Sequence, residues 1–292
     1  MTASCVAQDP LGWAGAPAVI ATMHGKQRVI APLAKRFLGT SAVPVDGLDT
    51  DRFGSFARDV QRRGSAIEAA RAKIAAAAAL APGARLFFAS EGSFGQHPQL
   101  PMLALDRELV LVRDRETGFE LAGHAATPDT NYGFTIVSDV AAAQAFATRI
   151  GFPAHGVIVA KARDGAPVAG PDLVKDIADP AALAHAVGAL VARDGAAAIE
   201  TDMRAHRNPR RMRAIKRAMI DLLRRVASKC PDCGGPGFAV MRRVPGLPCR
   251  ACREPTLLCR AEILQCPGCG HRAERSVSAA AAEPGFCPAC NP

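Results

Sequence analysis

Apolar and polar residues alternate along the first 228 positions with two different spacings. Short apolar runs, such as residues 18–22 and 86–89, are typical of buried strands. Between such runs, apolar residues recur every three or four positions, as in residues 26–38, and this spacing predicts helices. Strands that alternate with helices predict an α/β domain that has a mixed sheet with flanking helices.

The same patterns predict the other elements of this domain. Two apolar runs at residues 103–112 and 119–127 predict a β-hairpin. A long alanine-rich helix is predicted over residues 59–80, and the strand at residues 86–89 is predicted to end in a glycine-containing loop at residues 90–95. The remaining predicted elements are strands at residues 42–45, 156–160 and 196–201 and helices at residues 140–150 and 180–191.

These elements divide the chain into four segments. We expect a loose leader at residues 1–17, the α/β domain at 18–207, a basic amphipathic helix that closes the domain at 208–228, and a tandem zinc ribbon at 229–292. Asn208 and Pro209 are a strong start signal for the closing helix. No run approaches the roughly 18 apolar residues of a membrane span, and no secretory signal is evident, so we expect no membrane association and a cytoplasmic location.

The positive charge of the chain is concentrated in one segment. The formal net charge is +9, and the segment that begins at Arg204 and ends at Lys229 has ten basic residues against one acid, Asp221. Any attraction to a polyanion such as a nucleic acid is therefore expected there. The same charge would also offset the negative charge of zinc thiolates in the adjacent module.

Eight of the ten cysteines form four Cys-x-x-Cys pairs near the C-terminus. The pairs are Cys230 and Cys233, Cys249 and Cys252, Cys266 and Cys269, and Cys287 and Cys290. A two-residue spacer lets both sulfurs face one ion, so the pattern predicts two structural zinc ions, each held by four thiolates. Disulfides are the less favoured interpretation because the chain shows no secretory signal. Cys5 and Cys259 are left over and are predicted to have no role.

The pairs can share the two ions in two ways. Fifteen residues separate the first two pairs and 17 separate the last two, which fits the spacing of zinc ribbons. This spacing favours sequential pairing into two ribbons, while an interleaved arrangement satisfies the same ligand count. We expect the metal mainly to fold a segment that is poor in apolar side chains, with contact to a nucleic acid or a protein as the alternative role.

Polar residues of the α/β domain follow several predicted strands and helix starts, where open α/β sheets place ligands. Thr22 and Lys26 stand at the start of a helix, a position that favours a phosphate. The other candidates are Glu68 and Lys73 on the alanine-rich helix, Glu91 after an apolar strand, and His206 and Arg207 after the last strand. Two carboxylates, two lysines and an arginine are the residue types of a magnesium-dependent phosphate site.

Four short motifs occur in the order found in a known enzyme superfamily. The motifs are ATMHGK at residues 21–26, GSAIEAARAK at 64–73, ASEGSF at 89–94 and AHR at 205–207. Over residues 18–228 the sequence remotely resembles the inosine and xanthosine triphosphate pyrophosphatases, which use magnesium to cleave nucleoside triphosphates to the monophosphate and pyrophosphate. The resemblance implies that Glu68 and Glu91 bind magnesium and act in catalysis. It also implies that Lys26, Lys73 and Arg207 bind phosphates.

The whole chain also resembles an uncharacterised bacterial family, with a domain of unknown function and a cysteine-rich tail. The residues that carry this resemblance are EGSFGQHP, ETDMRAHRNPRRM and the final CPACNP. We therefore expect a magnesium-dependent hydrolase of a nucleotide or another phosphate ester, joined to a structural double zinc ribbon. The alternatives are a non-enzymatic nucleic-acid-binding protein and a protein-interaction protein whose ancestral active site has decayed.

Overall fold

The computed structural model describes residues 11–53, 64–97 and 100–292, which separate into two units. The first unit is Met1–Leu222 and the second is Leu223–Pro292. Helices and strands mix in the first unit, and the cysteine pairs lie in the second. The α/β class and the small cysteine-rich C-terminal module predicted from the sequence are confirmed. No helix in the described ranges is long and apolar enough to cross a membrane.

Five strands form the first sheet. They are β1 (Ala18–Ala21), β2 (Ala42–Pro44), β3 (Leu86–Gln96), β4 (Ala104–Asp114) and β5 (Glu120–Thr127), in the order β2-β1-β3-β4-β5. The first three are parallel, whereas β3, β4 and β5 pair in antiparallel fashion. The predicted hairpin is confirmed. The loop predicted at residues 90–95 is wrong, because this segment pairs with β4 and prolongs β3 to Gln96.

Helices α1 (Gln27–Leu38) and α2 (Ala66–Leu80) follow β1 and precede β3, respectively. One core of the unit forms where Ala70 and Ile74 of α2 join Phe87 of β3 and Leu111 of β4. The predicted helix over residues 59–80 is shorter in the structure, because Ser65 caps α2. Residues 59–63 of that prediction lie outside the described residues.

The first sheet also meets helix α5 (Pro209–Ala227), whose start agrees with the predicted signal. The apolar stripe of α5, which includes Ile215 and Met219, is buried. At Gly123 of β5 the backbones come so close that an added Cβ would collide with the backbone of Ala218 and Leu222. A glycine is therefore required for α5 to lie on this strand.

A second sheet occupies the later part of the first unit. Its strands β6 (Phe134–Val137), β7 (Val157–Arg163), β8 (Ala166–Val168) and β9 (Ala197–Thr201) have the antiparallel order β6-β9-β7-β8. Helices α3 (Val140–Ile150) and α4 (Pro180–Asp194) contribute to the core that this sheet shares. The sequence predicted β7, β9, α3 and α4, but neither β6 nor β8. It predicted one mixed sheet, whereas the unit has two sheets.

The described end of the predicted leader is anchored. Trp13 is buried, and its Nε1 donates a hydrogen bond of 2.9 Å to Asp114. Arg85 binds the same carboxylate at 2.8 Å, and these bonds hold the pKa of Asp114 well below its usual range. Residues 1–10 lie outside the described residues, so the prediction of a loose leader is wrong only for the part around Trp13.

The second unit contains an antiparallel meander of three strands, β10 (Ala239–Pro245), β11 (Cys259–Gln265) and β12 (Arg272–Ser276). Ala239 lies opposite Gln265, which lies opposite Arg272, so these three positions mark one end of the sheet. Pro245, the start of β11 and the end of β12 mark the other end. The loops that carry the cysteine pairs leave from these two ends.

Replacing Gly123 by alanine should destabilise the first unit. The added methyl group has to displace the α5 backbone, so we expect the free energy of unfolding to fall by about 2 kcal/mol or more. Gly83→Ala is the matched control, since no atom lies within 4 Å of its Cβ position, and its effect should stay within about 0.5 kcal/mol. Chemical denaturation of both variants measures the difference, and equal stabilities would contradict the packing at Gly123.

Candidate metal centres and a buried charged site

Each of the four cysteine pairs adopts the same tight turn. The carbonyl of the first cysteine accepts a hydrogen bond from the backbone N–H four residues later, at 2.8–3.1 Å in all four pairs. The first cysteine of each pair is buried and the second is exposed. This turn directs both thiol groups of a pair to one side, which is the local geometry that a metal ion requires.

The four pairs assemble into two groups of four sulfurs. Within each group the ligand atoms lie within 4.8 Å of one another; the groups are Cys230, Cys233, Cys266 and Cys269, and Cys249, Cys252, Cys287 and Cys290. Sulfur-to-sulfur distances between the pairs are 3.5–3.9 Å. A tetrahedron with Zn–S bonds of about 2.3 Å has its sulfurs about 3.8 Å apart. The two groups therefore have the size and the donor chemistry that fit zinc.

The first pair joins the third, and the second joins the fourth. The sequential pairing favoured by the sequence is wrong, and the interleaved arrangement is the one observed. The three-stranded meander is the physical reason. The first and third pairs flank one end of this sheet, next to Ala239, Gln265 and Arg272, while the second pair follows the opposite end of β10. The number of residues between cysteine pairs does not reveal how β10, β11 and β12 are aligned, so the spacing could not identify the correct pairing.

Two other residues of the module do not join either group. Cys259 lies in β11 and donates a hydrogen bond of 3.1 Å from its Sγ to the carbonyl of Ala261. The ring of His271 lies 5.8 Å from that of Phe238. Within the described residues, the two groups of four cysteines are the only clusters of three or more potential metal ligands of the His, Cys, Asp and Glu types. Cys5 lies outside the described residues.

The first unit brings three of the predicted phosphate-site residues together at β3. Lys73, on the buried face of α2, forms an ion pair with Glu91, and both side chains are more than nine-tenths buried. Lys26 precedes α1, and its Nζ donates a hydrogen bond of 3.0 Å to the carbonyl of Ser90. Burial, together with the positive charges of Lys73 and Arg211, lowers the pKa of Lys26 to about 7. A buried amine with this pKa is uncommon outside functional sites.

A second ion pair lies on the opposite face of β3. Glu108 of β4 is the cross-strand partner of Gly92, and a Cβ at Gly92 would collide with the Glu108 carboxylate. Arg211 of α5 donates from Nε to Glu108 Oε1 at 2.6 Å and also binds the carbonyl of Met203. Burial, together with the charge of Glu108, raises the pKa of Asp106 to about 8.

The sequence did not single out Asp106, Glu108 and Arg211. Asp106 and Glu108 lie on the same side of an otherwise apolar strand, and this interruption of the β-strand period is the signal that could have identified them. Arg211 is one of several arginines in a row, and nothing in the pattern distinguishes it from its exposed neighbours.

Glu68 does not reach this site. Its carboxylate accepts hydrogen bonds from the backbone N–H of Ser65 at 2.7 Å and from the Ser65 hydroxyl at 2.8 Å, which completes a capping box at the exposed start of α2. These bonds lower the pKa of Glu68. The pair of carboxylates predicted to hold magnesium is therefore not assembled: Glu68 caps its helix, and Glu91 is bound to Lys73.

The three other predicted residues have local partners. Thr22 is buried, and its hydroxyl accepts a hydrogen bond of 3.3 Å from the backbone of His24. His206 stacks on His24 with ring centres 5.0 Å apart, and burial, followed by the effect of His24, lowers its pKa. Arg207 donates to the carbonyl of Ile177 at 2.7 Å. The contacts described for these three side chains are therefore with other residues than Lys73 and Glu91.

Much of the basic run is used within the first unit. Arg204 is bound by Asp202 at 2.6 Å and by Asp176 at 2.8 Å, and Arg211 is buried on Glu108. Arg210 and Arg213 approach Asp129 at 3.9 and 3.5 Å, and Arg217 donates to Thr127 at 3.2 Å. The positive charge of this segment is therefore partly neutralised by the fold itself.

The site and the fold together define a class: an α/β domain with a buried charged centre, followed by a module of two interleaved four-cysteine sites. The chain belongs to the family described as "Domain of unknown function (DUF6671)", which matches residues 76–292. No curated protein and no solved structure matched the chain. The matched range includes the later part of the first unit and the whole cysteine-rich module of this chain, and the family description names no activity.

Paired cysteine variants should report the interleaved arrangement directly. Cys230→Ser with Cys266→Ser removes two ligands of the same group, so we expect one zinc ion to remain per chain. Cys230→Ser with Cys249→Ser damages both groups, so we expect zinc to be lost almost completely. The measurement is the zinc content of the purified proteins, with Cys259→Ser as a control that keeps two ions. If instead Cys230→Ser with Cys266→Ser lost both ions and Cys230→Ser with Cys249→Ser kept one, the pairing would be sequential.

Proposed function

We propose that the α/β domain binds and hydrolyses a phosphate ester, with nucleoside triphosphates as the class suggested by the sequence resemblance, and that the second unit is a structural zinc module. The observation that carries this proposal is Lys26. Its amine is buried at the edge of the parallel strands, and its pKa is lowered to about 7. Such an amine gains its charge readily when an anion binds beside it.

The surroundings of Lys26 favour an anion. Helix α1 begins directly after it, with no acidic residue in its first turn and no side chain that caps its N–H groups. The helix dipole at such a start favours a negatively charged group such as phosphate. A cleft of about 440 Å³ opens beside this start and is lined by Thr22, Gln27 and residues 44–49. The proposal places the phosphate group in this cleft, whose lining also includes Asp46 and Asp49.

A second cleft supports a planar organic group in the substrate. It has a volume of about 320 Å³ and is lined by Tyr132, Phe134, Arg149 and Arg210, among others. Tyr132 stacks on Phe94 of β3 with ring centres 5.6 Å apart, at an angle of 21°. Exposed aromatic rings beside arginines are suited to stacking with a nucleobase. This cleft favours a nucleotide over a simple phosphate ester.

The charged side chains have distinct roles in this proposal. Lys26 and Lys73 supply positive charge for the phosphate oxygens, on which negative charge develops during hydrolysis. Glu91 holds the Lys73 ammonium group in place through their ion pair. Magnesium belongs to the proposal because the resemblance implies it, and hard oxygen ligands are the donors it prefers. Of the two predicted magnesium ligands, Glu91 alone lies in the charged site.

The zinc ions have a structural role in this proposal. Four thiolates complete a tetrahedral site and leave no open position for a substrate or a water molecule. The buried apolar side chains described in the second unit are few and small, and four of its buried residues are the metal-facing cysteines Cys230, Cys249, Cys266 and Cys287. Metal binding would therefore supply much of the folding free energy of this unit.

Lys26→Met should abolish hydrolysis and stabilise the protein. Methionine has a similar length and no charge to desolvate, so we expect the melting temperature to rise by a few degrees while turnover falls at least about 100-fold. The measurement is release of pyrophosphate and orthophosphate from a panel of nucleoside triphosphates with magnesium. Lys35→Met, on the exposed side of the same helix, is the control and should behave as the wild type.

Two outcomes would contradict the proposal. Hydrolysis that survives in Lys26→Met would place the chemistry elsewhere in the chain. If the wild type released neither pyrophosphate nor orthophosphate from any nucleotide, the hydrolase proposal would be wrong. The alternative would then be a nucleic-acid-binding protein, and the exposed part of the Arg204 to Lys229 segment would be its candidate binding surface. Binding of a nucleic acid there would weaken steeply with added salt, because neutralised phosphates release counterions.

The pH dependence of anion binding should follow Lys26. Sulfate keeps its charge between about pH 6 and 9, so changes in its affinity report the protein alone. Because the pKa of Lys26 is lowered to about 7, its ammonium form is fully present below that pH and is lost as the pH rises through 7. We expect sulfate to bind several-fold more weakly at about pH 8 than at pH 6. Isothermal titration calorimetry at the two pH values measures the affinity for sulfate. If the affinity of Lys26→Met changed with pH as much as that of the wild type, the assignment to Lys26 would be refuted.

A further inference from the structure

A third cleft of the first unit lies between α1 and α5. It is lined by residues of the first turn of α1, of the first two turns of α5 and of the segment that precedes α5. Its volume of about 320 Å³ is within the range of clefts that hold small molecules. Its described lining residues differ from those of the clefts beside Lys26 and Tyr132. We call this cleft the α1–α5 pocket.

The α1–α5 pocket is positively charged. Its described lining includes four basic side chains and no acidic one, and the four are Arg28, His206, Arg213 and Lys216. Burial lowers the pKa of His206, so at neutral pH its ring offers a hydrogen bond rather than a positive charge. Asp129 lies 3.5 Å from Arg213 and offsets part of its charge. Arg28 and Lys216, both exposed, leave the pocket with a net positive charge, whereas the lining of the cleft beside Lys26 also includes two acids.

The same pocket also has an apolar part. Pro209 and Met212 line it together with the two basic residues Arg213 and Lys216 of α5. These four positions are spaced by three, one and three residues, so they share one face of the helix. Val29 of α1 adds a second apolar side chain next to Arg28. The pocket therefore combines an apolar surface with positive charge, as a ligand with both an apolar and an anionic part requires.

Contacts within the fold hold the walls of the pocket in place. Gly25, before α1, has a φ of +70°, and a Cβ there would lie 3.7 Å from His206 Cβ and 3.8 Å from Arg28 Nε. His206 also stacks on His24. The segment that precedes α5 is fixed by the ion pairs of Arg204. Because these walls are ordered in advance, a ligand loses less of its binding free energy to ordering the site.

We propose that the α1–α5 pocket binds an organic phosphate, a small molecule that has a phosphate group and an apolar or aromatic body. The planar guanidinium groups of Arg28 and Arg213 suit phosphate oxygens, and Lys216 adds a further charge. The apolar body lies against Val29 and Met212. A concave pocket of this size favours a small molecule over a nucleic-acid strand, which binds along an extended groove. This binding is independent of the proposed hydrolysis.

The test is the affinity for phenyl phosphate, measured by isothermal titration calorimetry without magnesium. The zinc-loaded full chain carries Lys26→Met throughout, so that the cleft beside Lys26 does not contribute. We expect this chain to bind phenyl phosphate, and Arg28→Gln with Lys216→Gln to weaken the binding at least about tenfold, because two charged partners of the phosphate are lost.

A second double substitution is the control for net charge. Lys35→Gln with Arg36→Gln removes the same two positive charges from the exposed last turn of α1, and we expect unchanged affinity. Inorganic phosphate should bind several-fold more weakly than phenyl phosphate, since it has no apolar body to bury.

Weaker binding with the pocket substitutions and unchanged binding with the control substitutions support the proposal. No binding of phenyl phosphate, equal effects of the two double substitutions, or equal affinities for phenyl phosphate and inorganic phosphate overturn it. A single-stranded oligonucleotide that binds through Arg28 and Lys216 at least about tenfold more tightly than phenyl phosphate also overturns it, in favour of a nucleic acid.

Two further results keep this proposal separate from the hydrolase. If Lys26→Met does not fold, the wild type at about pH 9 replaces it, because Lys26 is then uncharged. Binding of phenyl phosphate in the α1–α5 pocket of a protein that hydrolyses no nucleotide would refute the proposed function and support this pocket.

Discussion

Charge pairing across the two faces of β3 is the constraint on which the first unit depends. On one face Glu91 is bound by Lys73 of α2, and on the other Glu108, which covers Gly92, is bound by Arg211 of α5. Removing one partner of a buried pair leaves an unpaired charge in a low-dielectric interior, which costs about 3–5 kcal/mol. The two pairs therefore fix which residues of each helix face the strand. Apolar side chains of similar volume are often as stabilising as a buried ion pair, so these pairs matter more for fixing the register of the helices than for net stability.

The sequence predicted the elements of the fold better than their assembly. Apolar periodicity located α3 and the start of α5 because each is locally determined, by a hydrophobic stripe and by capping residues. The length of β3 was missed because its extension is polar and is held by pairing with β4, a contact distant in sequence. The second sheet was missed for the same reason, since strand order is set by tertiary packing and not by the composition of each strand.

The cysteine groups and the buried charged site differ in how much of each could be predicted from the sequence. The metal-facing cysteines were predictable because the Cys-x-x-Cys turn is local, whereas the way in which the pairs combine follows from the register of the β10–β12 meander. In the first unit, Lys26 was identified from a helix start, Glu91 from a strand end, and Lys73 from its place on the alanine-rich helix. Glu68 was misplaced because a capping box and a metal ligand look alike in sequence, and only the bonds to Ser65 distinguish them.

The interleaved metal groups change what a break in the chain would do. The loop at residues 253–258 separates the first two cysteine pairs from the last two, and each metal group takes two ligands from each side of it. With sequential sites, a cut in this loop would release two fragments, each with its own ion. With the observed arrangement, both ions bridge the cut, and the fragments stay joined until a chelator removes the metal. The two metal groups would thus act as cross-links between the two halves of the second unit, and removing the metal would break these cross-links.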